Sequence, residues 1–390
     1  MYSNETDFPV VTTEIDESNG MSPGKLVLLS KFLVLVLISN LRKLRAENAE
    51  LRAKVKGLQQ QVVFGTRVKR TNTKSYEQKI SCENTLLTDG DVLFNTGIES
   101  KKMFDDLYKH VSQYVQRRWR GAKNVCTKAK KYKPPENFAT RRKLSGKDEF
   151  LLTLMRVRLG LVQRHVAHIF GVSSALASGI FNAWLTAMDK VLAKPLVFWP
   201  SKEQTVATMP PRYRSVKGLR TIIDCSEIFI ETPKDPKLQA STWSDYKHHN
   251  TAKFLIACAP NSMITFISDI YGGRASDKAI TNDSEFLDLC EWCDVIMADK
   301  GFNIRDECAA RNIELYLPPG KKGQAQMTSA DVAKTKKIAN LRIIIEQVIQ
   351  RLKTFRILKN VVPISLLPNL PKMVRVCGAL CNLKEPIYKT

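Results

Sequence analysis

Thr221-Ile-Ile-Asp-Cys-Ser-Glu-Ile-Phe-Ile-Glu231 is a β-branched, apolar run with an aspartate set in its middle. Such a composition favours a buried strand, and a carboxylate inside one is costly unless something pairs with it. Two kinds of partner suit Asp224: a buried arginine or backbone amides, or a metal ion. The stretch Asp294-Val-Ile-Met-Ala-Asp-Lys-Gly-Phe302 repeats the arrangement, a short buried strand ending at Asp299 with Gly301 breaking it. An acid at the carboxyl end of a strand sits where α/β sheets place their sites. A third acid, Glu346, falls in a helical pattern over 329–358, where Leu341, Ile345, Val348, Leu352 and Phe355 make one apolar face. Glu346 lies beside that face with Arg342, Gln350 and Lys353. Two strand acids and one helix acid can converge into an oxygen-rich cage for Mg2+ or Mn2+, the donor set of a two-metal phosphodiester-cleaving site.

The ordered blocks around these acids carry a resemblance. They run Asp224-Cys-Ser-Glu-Ile-Phe-Ile-Glu231, Thr242-Trp-Ser-Asp-Tyr-Lys-His-His-Asn-Thr-Ala-Lys-Phe-Leu255, Gly272-Gly-Arg-Ala-Ser-Asp277, Ala298-Asp-Lys-Gly-Phe302 and Ala339-Asn-Leu-Arg-Ile-Ile-Ile-Glu346. In them the chain resembles the DDE superfamily endonucleases, and among these the Harbinger-type transposases and relatives that often carry an amino-terminal zinc-binding THAP domain. The resemblance implies an α/β, RNase H-like catalytic domain over 212–390, a mixed central sheet flanked by helices. It also implies Asp224, Asp299 and Glu346 as catalytic acids and as ligands of two divalent ions, Mg2+ or Mn2+. Two places depart from the family pattern: Ile344 and Gln347 stand where a histidine and an arginine are usual. No THAP-type domain is expected ahead of the zipper described below, so the candidate readers of the element ends are the helix-turn-helix described below, a partner protein, or a part lost from a decaying copy.

Composition agrees with a polyanionic partner. The 390 residues hold 61 Lys and Arg against 38 Asp and Glu, a net charge of +23, and so large an excess points to nucleic acid before a membrane surface. Nine cysteines in a chain of this length are expected as free thiols. Cys290 and Cys293 have the inner spacing of half a zinc site, and Cys377 and Cys381 lie one helical turn apart; buried structural cysteine is the simpler reading of both pairs.

Residues 1–23 are polar and without apolar periodicity, a disordered tail. Over 24–64 a seven-residue repeat follows: Leu41, Leu44, Asn48, Leu51, Val55, Leu58 and Val62 alternate at a and d, with Val27, Val34 and Leu37 extending the register backwards. Asn48 at an a position selects a parallel two-stranded coil, and Glu47 at g faces Arg52 at e of a second copy. A homodimer through this coiled coil is the expectation, with a helix docked on its own chain as the alternative. The apolar run after Lys31 falls short of the roughly 20 residues a span needs, so no membrane role is expected.

Residues 65–100 read as a linker. The region 101–200 is basic and helical, with Arg117, Arg118, Arg120, Lys130, Lys131, Arg141 and Arg142 in a run whose one acid is Glu136; it suits phosphate contact or nuclear import, a solvated basic face being the plain alternative. Within it, 146–192 has the layout of a helix-turn-helix: Ala167 at the helix contact, Gly171 in the turn, Ser173 or Ser174 as cap, Val172 and Ile180 in the core. Ser174, Ser178 and Asn182 are candidates to reach base edges. Further on, 252–259 and 263–271 read as two strands of a hairpin, Asp277 as a helix start, and Lys321 and Lys322 as a basic loop suited to phosphate. The expectation is a nuclear, metal-dependent DNA endonuclease of transposase type. A catalytically idle DNA-binding regulator is the alternative, and a zipper-led scaffold the third.

Overall fold

The computed structural model describes residues 80–116, 144–318 and 329–388. The tail, the zipper, the basic run from Arg117 to Arg142 and the loop lysines Lys321 and Lys322 lie outside the described residues.

The described part of the expected linker is not a linker. It folds into α1 (Cys82–Thr85) and α2 (Asp89–Thr96) and leads into α3 (Lys101–Ser112). Ser81, Thr88 and Ser100 cap the three helices through their side-chain oxygens, satisfying amides that the first turn leaves unpaired. Leu86, Val92, Ile98, Phe104 and Val111 are buried beneath them. α1 and α2 are short, so their apolar residues are too few to show a period.

α4 (Gly146–Leu159) runs through the middle of this block, with every residue from Asp148 to Val157 buried, which is why its pattern is apolar nearly all round. Phe150 packs 5.1 Å from Phe104 and 5.2 Å from Trp184, ring centroid to centroid. The Trp184 indole N–H donates to the buried Glu149 carboxylate at 3.1 Å. α5 (Gln163–Ile169) and α6 (Ser174–Met188) follow, bent 103° from one another at the break between them, the angle of a helix-turn-helix. Gly171 makes the turn at φ 60° with open space around its α-carbon; the backbone angle alone demands glycine there. Ser173 caps α6 by accepting from the Leu176 amide, and Ala167, Val172 and Ile180 are buried as expected. Five residues of π-helix (Asp189–Ala193) extend α6, and α7 (Lys202–Ala207) interrupts the proline-rich stretch beyond.

The second half is a mixed α/β domain on one seven-stranded sheet. The Asp224 run forms β1 (Leu219–Phe229), two residues earlier than the apolar run suggests. β2 (Trp243–Ser244), β3 (His249–Cys258), β4 (Ile264–Ile267), β5 (Tyr271–Gly272), β6 (Val295–Met297) and β7 (Glu314–Tyr316) complete the order β2-β3-β1-β6-β7, with β4 and β5 also on β3. β1 is antiparallel to β3 and parallel to β6, and β6 is parallel to β7. The strand expected over 263–271 is two strands, broken between Ile267 and Tyr271 where Ser268 turns to bond Leu255 through both its amide and its hydroxyl.

Alternation along β1 separates two cores. Ile222 and Ile228 face α11 (Ser329–Leu352), α12 (Leu370–Asn382) and the helical block; Ile223 faces a smaller core with Leu255, Phe286 and Phe302. Before them in the chain come α8 (Pro236–Thr242), α9 (Asp277–Asp283) and α10 (Arg305–Ala309). Among the described residues no single helix is long and apolar enough to cross a membrane.

Candidate active site

The parallel pairing of β1 with β6 sets Ile222 opposite Met297. Asp224 on β1 and Asp299 just past the end of β6 each follow two residues later, and continuing the alternation turns both acids to the same face of strands ~5 Å apart. That face is the one α11 covers, since Ile222 and Met297 share a core with Ile344 and Ile345. Burial pushes the Asp224 carboxyl up to about 6, against the pull of the Arg342 guanidinium and of the Cys225 amide, with Asp299 and Asp277 adding to the rise. The Asp224 Oδ1 accepts that amide at 2.8 Å.

α11 lies along β1, and one contact fixes its level: the Lys353 ammonium donates to the Glu227 carbonyl at 3.0 Å. Glu346 precedes Lys353 by seven helical residues, ~10 Å of rise, and Asp224 precedes Glu227 by three strand residues, also ~10 Å. On this spacing Glu346 falls toward the level of Asp224, and it is exposed. One turn earlier Arg342, 9% exposed, donates from Nη1 to the Asp299 Oδ1 at 3.1 Å. The three acids are aligned on one side of the sheet but not gathered. Among the described residues no three His, Cys, Asp or Glu side chains stand close enough to hold a metal ion, and an arginine occupies Asp299.

Asp277 is closer to this site than its sequence position suggests. The helix cap there is Ser276, not Asp277. Asp277 sits in the first turn of α9 and pairs with Lys253 at 2.7 Å, and a β-carbon on Gly301 would stand 3.7 Å from its Oδ2. Gly301 belongs to the turn that Asp299 opens, closed by the Phe302 amide on the Asp299 carbonyl. The Asp277 charge also helps burial raise the Cys225 thiol on the opposite face.

In the helix-turn-helix, Ser174 is exposed and Ser178 half-buried, at the free end of α6. Asn182 is different: its Oδ1 accepts from Asn369 at 3.1 Å. Thr186 and Asp189 continue that side of α6, bonded to Lys372 and, through two hydrogen bonds of 2.8 and 2.9 Å, to Arg375. The far half of α6 is thus docked on α12, and Asn182, exposed, stands at the edge of that contact. Cys377 and Cys381 are buried free thiols, as expected; Cys290 is half-buried against the smaller core, and Cys293 is exposed.

Residues 223–382 match the family model described as DDE superfamily endonuclease, and residues 142–194 match the helix-turn-helix of DDE superfamily endonuclease. The chain carries a DDE superfamily endonuclease domain. No curated protein and no solved structure matches it. The narrower Harbinger-type grouping rests on the sequence resemblance alone. A DDE endonuclease domain beside its own helix-turn-helix implies DNA as the partner. In this endonuclease domain the sequence alone did not mark Arg342 as the counter-charge of Asp299. Its place four residues before Glu346, one helical turn along the same face, was the available signal.

Proposed function

We propose that the chain is a metal-dependent DNA endonuclease of transposase type, with an RNase H-like catalytic domain in which Asp224, Asp299 and Glu346 are the acidic triad. The observation that supports this reading is the parallel pairing of Ile222 with Met297, two residues before Asp224 and Asp299, with α11 packed on the same side of the sheet. The residues fit divalent ions of the Mg2+ or Mn2+ kind: the donors are all carboxylate oxygens, and burial and acidic neighbours resist the Asp224 charge that a cation would offset. Asp224 and Asp299 would hold the metal between them and Glu346 would complete its ligands. Bound there, divalent ions supply a nucleophile at neutral pH and stabilise the leaving oxygen of a phosphodiester. Arg342 positions Asp299 and offsets the charge of the pair. The helix-turn-helix supplies a DNA-reading surface at the free end of α6, with Ser174 and Ser178 exposed or half-exposed on it. A homodimer through the 24–64 zipper, an accessory DNA-binding partner and a nuclear location complete the proposal.

Nicking of supercoiled plasmid in Mn2+ tests it. Wild-type chain converts the plasmid to open circles, and Glu346→Gln lowers the rate at least 100-fold, the usual scale for removing a group that acts on the transition state. Equal nicking by the two removes Glu346 from the triad. One observation favours the second reading, a DNA-binding regulator without catalysis: Arg342 already neutralises Asp299, and the acids are not gathered. That reading predicts duplex binding by the wild-type chain with no metal-dependent nicking.

A further inference from the structure

Asp299 is bonded through one oxygen only. Its Oδ1 accepts from the Lys300 amide at 2.7 Å and from the Arg342 Nη1 at 3.1 Å, while the side chain as a whole is 54% exposed. Asp224 is held by the same backbone device, its Oδ1 on the Cys225 amide at 2.8 Å. Each acid keeps its Oδ2 for another partner. Arg342 has the opposite setting: it is buried, with Nη1 on Asp299 and with its Nε lacking a hydrogen-bond partner among the described residues. An unmet donor on a buried guanidinium is costly, and a second anion would satisfy it.

Charge says which anion that is. Asp224, Asp299 and Arg342 together carry a single negative charge, less than one divalent ion needs for balance. No neighbouring acid makes up the difference. Asp277, beside the Asp299 turn at Gly301, is already paired with Lys253 at 2.7 Å, and among the described residues no three acidic, histidine or cysteine side chains stand close enough to hold an ion. A cation on the Oδ2 of Asp299 would lie one carboxylate away from the guanidinium, and like charges so close repel. A phosphodiester meets all of these needs together. It adds the missing negative charge, it offers the cation an oxygen ligand, and it is an acceptor that guanidinium groups favour. It is also the group that an endonuclease brings to its acids.

We propose that Arg342 couples the metal to the DNA: without DNA its charge opposes a cation at Asp224 and Asp299, and a DNA phosphate at Arg342 lifts that opposition, so that metal and DNA each bind tighter in the presence of the other. This rests on the metal-dependent endonuclease reading above. The test uses the full chain as wild type, Arg342→Gln, Arg342→Lys and Asp299→Asn, with melting in EDTA to check that each folds; should Arg342→Gln fail to fold, Arg342→Met takes its place. Mn2+ affinity is read without DNA from the loss of the free-ion EPR signal, and duplex affinity from anisotropy in EDTA and in Mn2+. Arg342→Gln is expected to bind Mn2+ about 10-fold tighter than wild type, and Mn2+ to raise duplex affinity about 10-fold more for wild type than for Arg342→Gln, the scale of ordinary site-to-site coupling. Arg342→Lys, which keeps the charge, follows wild type. Mn2+ binding by Arg342→Gln that is equal to or weaker than wild type overturns the proposal and leaves Arg342 as a prop for Asp299. So does Mn2+ that raises duplex affinity equally for both. If neither wild type nor Arg342→Gln binds Mn2+, or Asp299→Asn binds it as well as wild type does, the metal reading falls first and the coupling with it.

Discussion

Burial leaves Asp224 with a carboxyl pushed up to about 6 from the usual 3.8, so at neutral pH the folded chain carries a charge that its surroundings resist. Below pH about 4 the carboxyl is protonated both folded and unfolded, and no penalty exists. As pH rises through 6 the folded form must ionise in a costlier place than the unfolded form, and stability is lost. Asp224→Asn removes that loss. In EDTA at pH 8 the variant is expected to unfold at about 1–3 kcal/mol higher free energy than wild type, the difference closing as the pH approaches 4. A variant less stable than wild type at pH 8 would mean that the carboxylate is paired rather than strained. The need of Asp224 for a partner was legible in the sequence because an acid in an apolar strand is a local contradiction. The identity of the cation that answers it was not, since Arg342 reaches the site from a helix far along the chain.

The helix-turn-helix and the catalytic domain meet through helices rather than through a linker. Asn182, Thr186 and Asp189 repeat at helical spacing along α6 and bond Asn369, Lys372 and Arg375. The Asp189–Arg375 pair is bidentate and partly buried, so Asp189→Ala, Arg375→Ala and the double variant should show a coupling of about 1–3 kcal/mol in urea unfolding. Coupling near zero would mean that the pair is only a surface contact. What the sequence disclosed here was local: Gly171 for the turn, Ser173 for the cap, the apolar face of α11. What it hid was tertiary. α1 and α2 lie in a stretch that reads as linker because their burial is decided by α4, and Asp277 pairs with Lys253 of β3 and stands beside the Asp299 turn at Gly301, neither of which any spacing announces.

At the scale of the whole molecule, a chain of net charge +23 carries Asp224, Asp299 and Glu346 on one domain of a basic protein. In the proposed reading the excess positive charge draws DNA, and the acids would admit the cation that cleavage needs. These acids are separated in sequence by 75 and 47 residues, counted from Asp224 to Asp299 and from Asp299 to Glu346, and only the strand register and the level of α11 bring them to one face. The measurement that tests this most directly is the melting temperature of the full chain, wild type and Asp299→Asn, with and without Mn2+. Metal at about 100 times its dissociation constant should stabilise the wild type by about 2.7 kcal/mol, a rise of several degrees, and leave Asp299→Asn unmoved. An equal rise in both proteins, or none in either, would contradict a metal site built on Asp224 and Asp299.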